Sequence, residues 1–216
     1  MTEINYESLR AAMVASQLRT SGVNDAGVLA AMGAVPRERF VPAARAALAY
    51  VDTLVPLSGA RRMNTPLATG RLLTELAPRT GESALVVGAA TGYAAAVLAR
   101  LGANVVALEE DAALGDAAPA IAGVTWAQGP LAEGWAAGAP YDLILVDGAI
   151  ERIPDALVAQ LADGGRLATG LVERSLVRLA VGRKSGDAFG VVTVADVDAA
   201  PLPGFAQPAT FSFQGV

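Results

Sequence analysis

The segment Ala84–Glu110 reads ALVVGAATGYAAAVLARLGANVVALEE, and its pattern decides the predicted fold. The valine-rich run Ala84–Val87 indicates a buried strand, and the alanine-rich run Tyr93–Leu101 indicates a helix that ends at Gly102. Asn104–Leu108 is then typical of a second buried strand. A strand, a glycine turn, a helix and another strand are the unit from which Rossmann-like α/β folds are built.

The glycine turn between the first strand and the helix carries the predicted cofactor contacts, which are Gly88, Ala89, Ala90, Gly92 and Tyr93. Glycine lets the backbone approach a ligand at a helix N-terminus. Glu109, about 20 residues further on, is placed to accept hydrogen bonds from ribose hydroxyls. The register fits GxGxG better than the GxGxxG of dinucleotide binders, which favours S-adenosylmethionine over NAD. A tight turn without a ligand is the alternative.

Composition excludes several classes of chemistry. The chain has 216 residues, 53% of them hydrophobic and 17% charged, which fits one α/β domain. It contains no cysteine and no histidine, so we expect no disulfide, no thiolate nucleophile and no metal site. The net charge of −5 argues against a nucleic-acid partner. No apolar run is long enough to span a membrane, and the chain opens without a signal-peptide pattern, so a cytoplasmic location is predicted.

The chain is predicted to form a single domain in three parts. Residues 1–57 form a helical cap, with one helix from Asn5 to about Leu18 and another from Asp25 through Gly33. Residues 58–200 form the Rossmann-like core, and residues 201–216 form a C-terminal tail. The tail carries three phenylalanines as expected packing anchors: Phe205, Phe211 and Phe213.

Further strands are predicted after the central unit, at Val124–Ala127, Leu143–Val146, Arg166–Thr169, Leu176–Val181 and Val191–Val197. A hairpin is expected around Gly186. A helix is expected over Ile153–Leu161, and Gly164-Gly165 is expected to separate it from the strand Arg166–Thr169.

Asp147 follows directly after the strand Leu143–Val146. Because ligands bind beyond the carboxyl ends of the strands of a parallel sheet, Asp147 is expected to lie near Gly88 and Glu109. In a second interpretation its side chain only caps the turn before the next helix.

The stretch Met13–Leu57 resembles the N-terminal region of protein-L-isoaspartate O-methyltransferases. QL, VLAAM, VPRERFVP and AYVD occur in the order and spacing of that family. The resemblance continues through LVVGAATGYAAAVLA, APYDLILVDGAIERIP and QLADGGRL, and so covers roughly Leu9–Thr169. It implies a Rossmann-like S-adenosylmethionine-dependent methyltransferase fold. It also implies repair of damaged proteins by methylation of the α-carboxylate of isoaspartyl residues.

Three departures from the family pattern concern the site. The family motif close to GQTISQP aligns with residues 60–66, so that Asn64 replaces a serine regarded as important for catalysis. The family's GDG motif, whose acid contacts adenine, aligns with Gly129-Pro130-Leu131, so that acid is missing here. Adenine recognition would then rely on backbone groups and apolar packing. Asp147 replaces a small residue or threonine.

The residues predicted for the acceptor side follow from this alignment. Asn64 and Asp147 are predicted to be catalytic, and Arg61, Arg62 and Thr65 to contact the substrate. For the two arginines a solvated loop is the alternative. A carboxylate acceptor is ionised at neutral pH, so its methylation needs positioning more than a general base, which suits a chain without histidine.

Three functions stay open. The first is isoaspartyl repair. The second is methylation of another acceptor, with Asp147 as the base for a hydroxyl or an amine; Asp147-Gly148-Ala149-Ile150 does not match the Asp/Asn-Pro-Pro-aromatic motif of nitrogen methyltransferases. The third is a binding module without catalysis. The oligomeric state cannot be inferred.

Overall fold

A seven-stranded sheet lies at the centre of the computed structural model, which describes residues 4–206. Its strands are β3 (Ser83–Val87), β4 (Asn104–Glu109), β5 (Val124–Gln128), β6 (Tyr141–Ile150), β7 (Leu161–Glu173), β8 (Leu176–Ser185) and β9 (Ala188–Asp196). They are ordered β5-β4-β3-β6-β7-β8-β9. In this order the first five strands run parallel to one another. β8 then pairs antiparallel with β7, and β9 pairs antiparallel with β8. The predicted Rossmann-like α/β fold is confirmed. A separate two-stranded ribbon pairs β1 (Val55–Pro56) with β2 (Arg62–Met63).

Strand order reverses at β3. Val87 at its end lies beside Leu108 of β4 on one side and beside Val146 of β6 on the other. The chain therefore leaves β3 in one direction and later returns to the opposite side, which opens a crevice at this edge of the sheet. Glu109 and Asp147 follow those two partners directly, so both carboxylates belong to the same edge.

The helices are α1 (Tyr6–Ala12), α2 (Ala26–Ala34), α3 (Pro66–Leu76), α4 (Tyr93–Arg100), α5 (Ala112–Asp116) and α6 (Asp155–Ala159). A π-helical stretch, Met13–Leu18, continues α1, and 3₁₀ turns occupy Arg37–Phe40 and Ala43–Leu48. Both predicted N-caps are confirmed, because Asn5 Oδ1 accepts from the backbone N–H of Ser8 and Asp25 Oδ1 from that of Val28, each at 2.9 Å. No helix within residues 4–206 is long and apolar enough to cross a membrane.

Successive residues of β3 point to opposite faces of the sheet and enter two different cores. Val86 joins a buried cluster that includes Met13 and Met32, so the N-terminal helices share a core with the sheet. Val87 joins the cluster on the other face, which contains Leu202 and Phe205. The predicted anchor Phe205 is therefore buried, and the other two, Phe211 and Phe213, lie outside the described residues.

Three boundary predictions were wrong. The helix expected over Ile153–Leu161 is limited to α6, since Leu161 already pairs with Tyr141 at the start of β7. Gly164-Gly165 lies inside β7, at an irregular register, and does not separate a helix from a strand.

The strand expected over Leu143–Val146 runs on to Ile150. Its extension is held by the segment that follows β9, because the N–H of Ala149 donates to the carbonyl of Ala200 at 2.7 Å and the N–H of Leu202 to that of Ala149 at 2.9 Å. Asp147 consequently lies within β6 and caps no helix; Pro154 precedes α6 instead.

Candidate active site

The turn after β3 is held in left-handed backbone conformations. Gly88, Ala90 and Gly92 have φ values of 73°, 52° and 90°. The first and third are glycines, which adopt such angles without steric cost, whereas Ala90 has a Cβ that opposes them. The N–H of Ala90 donates to Glu109 Oε2 at 2.7 Å, which stabilises the strained residue and orients the carboxylate.

Glu109, at the end of β4, is a buried carboxylate whose two oxygens accept hydrogen bonds from several protein donors, and 2% of the residue is exposed. Besides Ala90, the backbone N–H groups of Glu110 and Asp111 donate to Oε1 at 3.0 and 3.1 Å. The Arg61 guanidinium binds both oxygens, with Nη1 to Oε1 at 2.5 Å and Nη2 to Oε2 at 2.9 Å. Five donors thus use the roughly four lone-pair positions of the group. Glu109, which is predicted to hold ribose, lies beside the glycine turn, and in this structure its hydrogen-bonding capacity is used by the protein itself.

The two adjacent arginines have different environments. Arg61 is only 7% exposed and also donates to the carbonyl of Gly88 at 3.3 Å, so a solvated loop is the wrong interpretation for this residue. Arg62 is exposed. The N–H of Leu57 donates to the Arg61 carbonyl, and the N–H of Arg61 donates to the Ser58 carbonyl, which closes the loop into a tight turn. This turn directs the first guanidinium inward.

Asn64 bridges Asp147 to the segment that follows β9. Its Nδ2 donates to Asp147 Oδ1 at 2.7 Å, and its Oδ1 accepts from the N–H of Ala200 at 2.8 Å. The next residue, Thr65, is buried and caps α3 by accepting from the N–H of Ala68 at 3.0 Å. Asn64 is therefore fixed in orientation, with one amide hydrogen left for another acceptor.

Asp147 occupies an irregular stretch of β6, where the pairing with β7 shifts between Leu145 and Ala149. Such bulges re-aim a side chain out of the regular alternation. Burial raises the pKa of Asp147 to about 6, although the hydrogen bond from Asn64 and the charges of Arg37 and Arg61 oppose the increase. The structure brings this carboxylate together with Asn64, as expected from strand order and the family alignment.

Arg37 is a buried cation to which sequence reasoning assigned no role. Its Nε donates to the carbonyl of Ala49 at 2.7 Å and its Nη2 to the carbonyl of Asn64. The guanidinium lies 4.6 Å from the centre of the Tyr93 ring, within cation–π range. Among residues 4–206, neither Arg37 Nη1 nor the Tyr93 hydroxyl has a hydrogen-bond partner, and both are buried. The available signal was weak, because Arg37 is one of three consecutive charged residues, Arg37 to Arg39, in the VPRERFVP stretch.

The remaining predicted cofactor contacts surround Glu109. The N–H groups of Gly88 and Ala89 both donate to the carbonyl of Leu108 at 3.0 Å, and that of Gly129 to the Glu109 carbonyl at 3.3 Å. A Cβ at position 129 would lie 3.7 Å from the Trp135 ring, so an aromatic surface borders the site where the family's adenine acid is missing.

Two neighbours restrict space around the turn. A Cβ on Gly88 would lie 2.9 Å from the Leu202 side chain, which therefore covers this glycine. A Cβ on Gly92 would lie 2.9 Å from the Trp126 ring. Beside Glu109 a pocket of about 310 Å³ opens between α5 and β5, bordered by Asp111 and Gln128.

The reversal of strand order, the glycine turn and the acid at the end of β4 define a class, the Rossmann-like α/β proteins. The model of the family described as protein-L-isoaspartate(D-aspartate) O-methyltransferase (PCMT) matches residues 9–202. The chain belongs to that family.

Individual relatives agree with this placement. A protein-L-isoaspartate O-methyltransferase 1 of Rhodopseudomonas palustris (strain HaA2) is 38% identical over 208 residues, 93% of this chain and 85% of the relative. A protein-L-isoaspartate O-methyltransferase of Methylorubrum populi is 45% identical over 166 residues, 74% of this chain and 78% of the relative.

Solved structures confirm the fold. One, named protein-L-isoaspartate O-methyltransferase, has a TM-score of 0.77 at 21% identity, covering 93% of this chain and 66% of that chain. Another is a putative family member from Plasmodium falciparum in complex with S-adenosyl-L-homocysteine, with a TM-score of 0.71 at 20% identity. It covers 92% of this chain and 98% of that chain.

Proposed function

We propose that this protein is an S-adenosylmethionine-dependent methyltransferase that esterifies the α-carboxylate of isoaspartyl residues in damaged proteins. The observation that carries the proposal is the convergence of the glycine turn, Glu109 and Asn64 on one crevice, in a chain whose family match spans residues 9–202. The predicted cytoplasmic location and the exclusion of nucleic-acid and membrane partners remain predictions.

The donor set of the crevice suits the cofactor. Glu109 is a buried carboxylate on which ribose hydroxyls would donate, and the Gly88 turn leaves backbone at close range. Gly129 and Trp135 offer a flat surface for adenine in place of the family's acid. S-adenosylmethionine, when bound, supplies an electrophilic methyl group. Leu202 and the Arg61 guanidinium presently lie against the turn, so binding requires that both shift.

The acceptor side needs positioning and exclusion of water. An isoaspartyl α-carboxylate is ionised at neutral pH and needs no proton removed before it attacks. The second amide hydrogen of Asn64 is available to donate to it, and the Arg37 contact to the Asn64 carbonyl fixes the backbone at that point.

A second acceptor class has its own observation. Asp147 is a carboxylate with a pKa of about 6 beside Asn64, and a base near neutral pKa suits proton removal from a hydroxyl or an amine. A binding module without catalysis is the third possibility.

Transfer of labelled methyl from S-adenosylmethionine to a synthetic isoaspartyl peptide tests the proposal. The matching aspartyl peptide is the control for selectivity, and an active family member that carries the serine is the control for the assay. Selective labelling of the isoaspartyl peptide is expected. A folded protein that labels neither peptide would move the function to another acceptor or to binding alone.

A further inference from the structure

Arg61 and a ribose would compete for the same atoms. Oε1 of Glu109 already accepts from Arg61 Nη1 and from two backbone N–H groups, and Oε2 accepts from Arg61 Nη2 and Ala90. The backbone donors belong to the turn and to the end of β4 and are fixed by the fold. The guanidinium is the one donor on a movable side chain, so it is the one that a ribose would displace.

The displaced cation would stay within the crevice. Arg61 is three residues before Asn64, and its charge lowers the pKa of Asp147, so the guanidinium lies within electrostatic range of the acceptor side. Its Nε is buried and lacks a hydrogen-bond partner among the described residues 4–206. A buried guanidinium that loses its carboxylate is strongly destabilised until it finds another anion. The acceptor carboxylate is an anion of the right shape for a bidentate guanidinium contact.

We propose that Arg61 is an exchangeable cation, bound to Glu109 in the empty enzyme and to the acceptor carboxylate once the cofactor's ribose has taken Glu109. This inference rests on the proposed function and adds an order of binding to it. The cofactor must bind first, because only then is the guanidinium released for the acceptor. Arg61 thereby lowers affinity for the cofactor and raises affinity for the acceptor.

The opposite directions of these two effects give the test. Arg61→Gln removes the charge and retains a polar side chain, and Arg100→Gln, at an exposed position in the last turn of α4, is the matched control. Calorimetric titration with S-adenosylhomocysteine, without peptide, should show about tenfold tighter binding to Arg61→Gln, which corresponds to about 1.4 kcal/mol. The KM for the isoaspartyl peptide should rise about tenfold in the same variant. Arg100→Gln should match the wild type in both measurements.

A merely structural role of Arg61 would weaken both ligands together. Unchanged or weaker S-adenosylhomocysteine binding to Arg61→Gln, with an active wild type, overturns the exchange and leaves the proposed function intact. An unchanged peptide KM overturns it as well. If neither the wild type nor Arg61→Gln binds S-adenosylhomocysteine or transfers methyl, the proposed function fails together with the inference.

Arg61→Gln must also be shown to fold, because Glu109 loses its cation in this variant. Circular dichroism and a cooperative thermal transition establish that Arg61→Gln is folded. Arg61→Lys keeps the charge without the planar fork and serves where the glutamine variant does not fold. Arg61→Lys should bind S-adenosylhomocysteine more tightly than the wild type does, but less tightly than a variant without a positive charge at this position. Affinity equal to or below that of the wild type contradicts the exchange.

Discussion

Glu109 at the end of β4 and Asp147 within β6 are carboxylates on the two strands that flank β3, yet their surroundings differ sharply. Glu109 accepts from a guanidinium and three backbone N–H groups. Within the described part of the chain, residues 4–206, Asp147 accepts one hydrogen bond, at 2.7 Å from the neutral amide of Asn64. A position at the edge of a parallel sheet brings a carboxylate to the crevice, while the local hydrogen-bond donors decide whether its charge is stabilised there.

The two regions therefore suit different tasks. Glu109 is surrounded by donors that require a negative charge, as expected of a residue that receives hydroxyl donors. Asp147 has a pKa of about 6 because burial penalises its charge more than Asn64 and the two arginines support it. A negative charge there would repel a carboxylate acceptor, and proton uptake would remove that repulsion.

The largest effect is expected from Glu109→Ala. This change leaves the Arg61 guanidinium buried without its counterion and removes an acceptor from three backbone donors. The free energy of unfolding should fall by about 3 to 5 kcal/mol. Urea unfolding followed by circular dichroism measures it, with Glu110→Ala at the exposed neighbouring position as the control. A loss below about 1 kcal/mol would show that the pair is not stabilised as the geometry indicates.

Asp147→Asn should act in the opposite direction. The folded-state pKa of Asp147 is about 6 against an ordinary value of 3.8, so the folded state binds the proton more tightly than the unfolded chain does. Its stabilising effect is complete below about pH 4 and is lost as the pH rises through about 6. The variant should exceed the wild type by on the order of 2 kcal/mol at pH 7.5 and by much less at pH 4.

Unfolding measurements at three pH values test this sign. Asp155→Asn, at an exposed position on α6, is the control and should follow the wild-type curve. A variant less stable than the wild type at pH 7.5 would mean that the ionised Asp147 supports the fold. Turnover adds a separate readout: isoaspartyl methylation needs no base and should survive the change, whereas an acceptor that depends on Asp147 would lose it.

Asn64→Ala probes the link between the two regions and is expected to have a smaller effect. It leaves the buried N–H of Ala200 without its acceptor and removes the amide from Asp147. A loss of about 1 to 2 kcal/mol in unfolding free energy is expected, with a further increase in the pKa of Asp147. Carbon-detected NMR titration of the carboxyl follows that pKa. An unchanged titration would exclude the amide as its stabilising partner, and Asn64→Ser tests whether the family's serine restores it.

The smallest effect is expected from Ala90→Gly, beside Glu109. The left-handed conformation of Ala90, with φ at 52°, disfavours a Cβ by about 1 to 2 kcal/mol, and the greater chain entropy of glycine offsets about half of the gain. A net stabilisation of about 0.5 kcal/mol is expected in thermal unfolding. Ala77→Gly is the control, because Ala77 has φ at 47° at the end of α3, outside the crevice. If Ala77→Gly is more stable than the wild type and Ala90→Gly is not, the turn after β3 needs the Cβ of Ala90.

The part of the site formed by residues that are close together in the sequence was predictable. The alternation from strand to turn to helix is encoded within Ala84–Glu110, so the position of Glu109 followed from periodicity alone. Strand order then brought Asp147 to the same edge. These features depend on short-range patterns and on a general rule of parallel sheets.

The partners of the two carboxylates were not predictable in the same way. Arg61 and Glu109 are 48 residues apart, and their pairing depends on the path of the β1–β2 ribbon. The bulge that re-aims Asp147 depends on Ala200 and Leu202, which pair with Ala149 from the far end of the chain. Arginine is a residue type typical of surface positions, yet Arg37 is 0% exposed and lies between the Asn64 carbonyl and the Tyr93 ring.

A crystal structure of the protein with S-adenosylhomocysteine and an isoaspartyl peptide would show directly which anion Arg61 binds. We expect ribose hydroxyls on the Glu109 carboxylate, the Arg61 guanidinium on the acceptor carboxylate and Asn64 donating beside it. An Arg61–Glu109 pair that stays intact, with the nucleoside bound elsewhere, would contradict it.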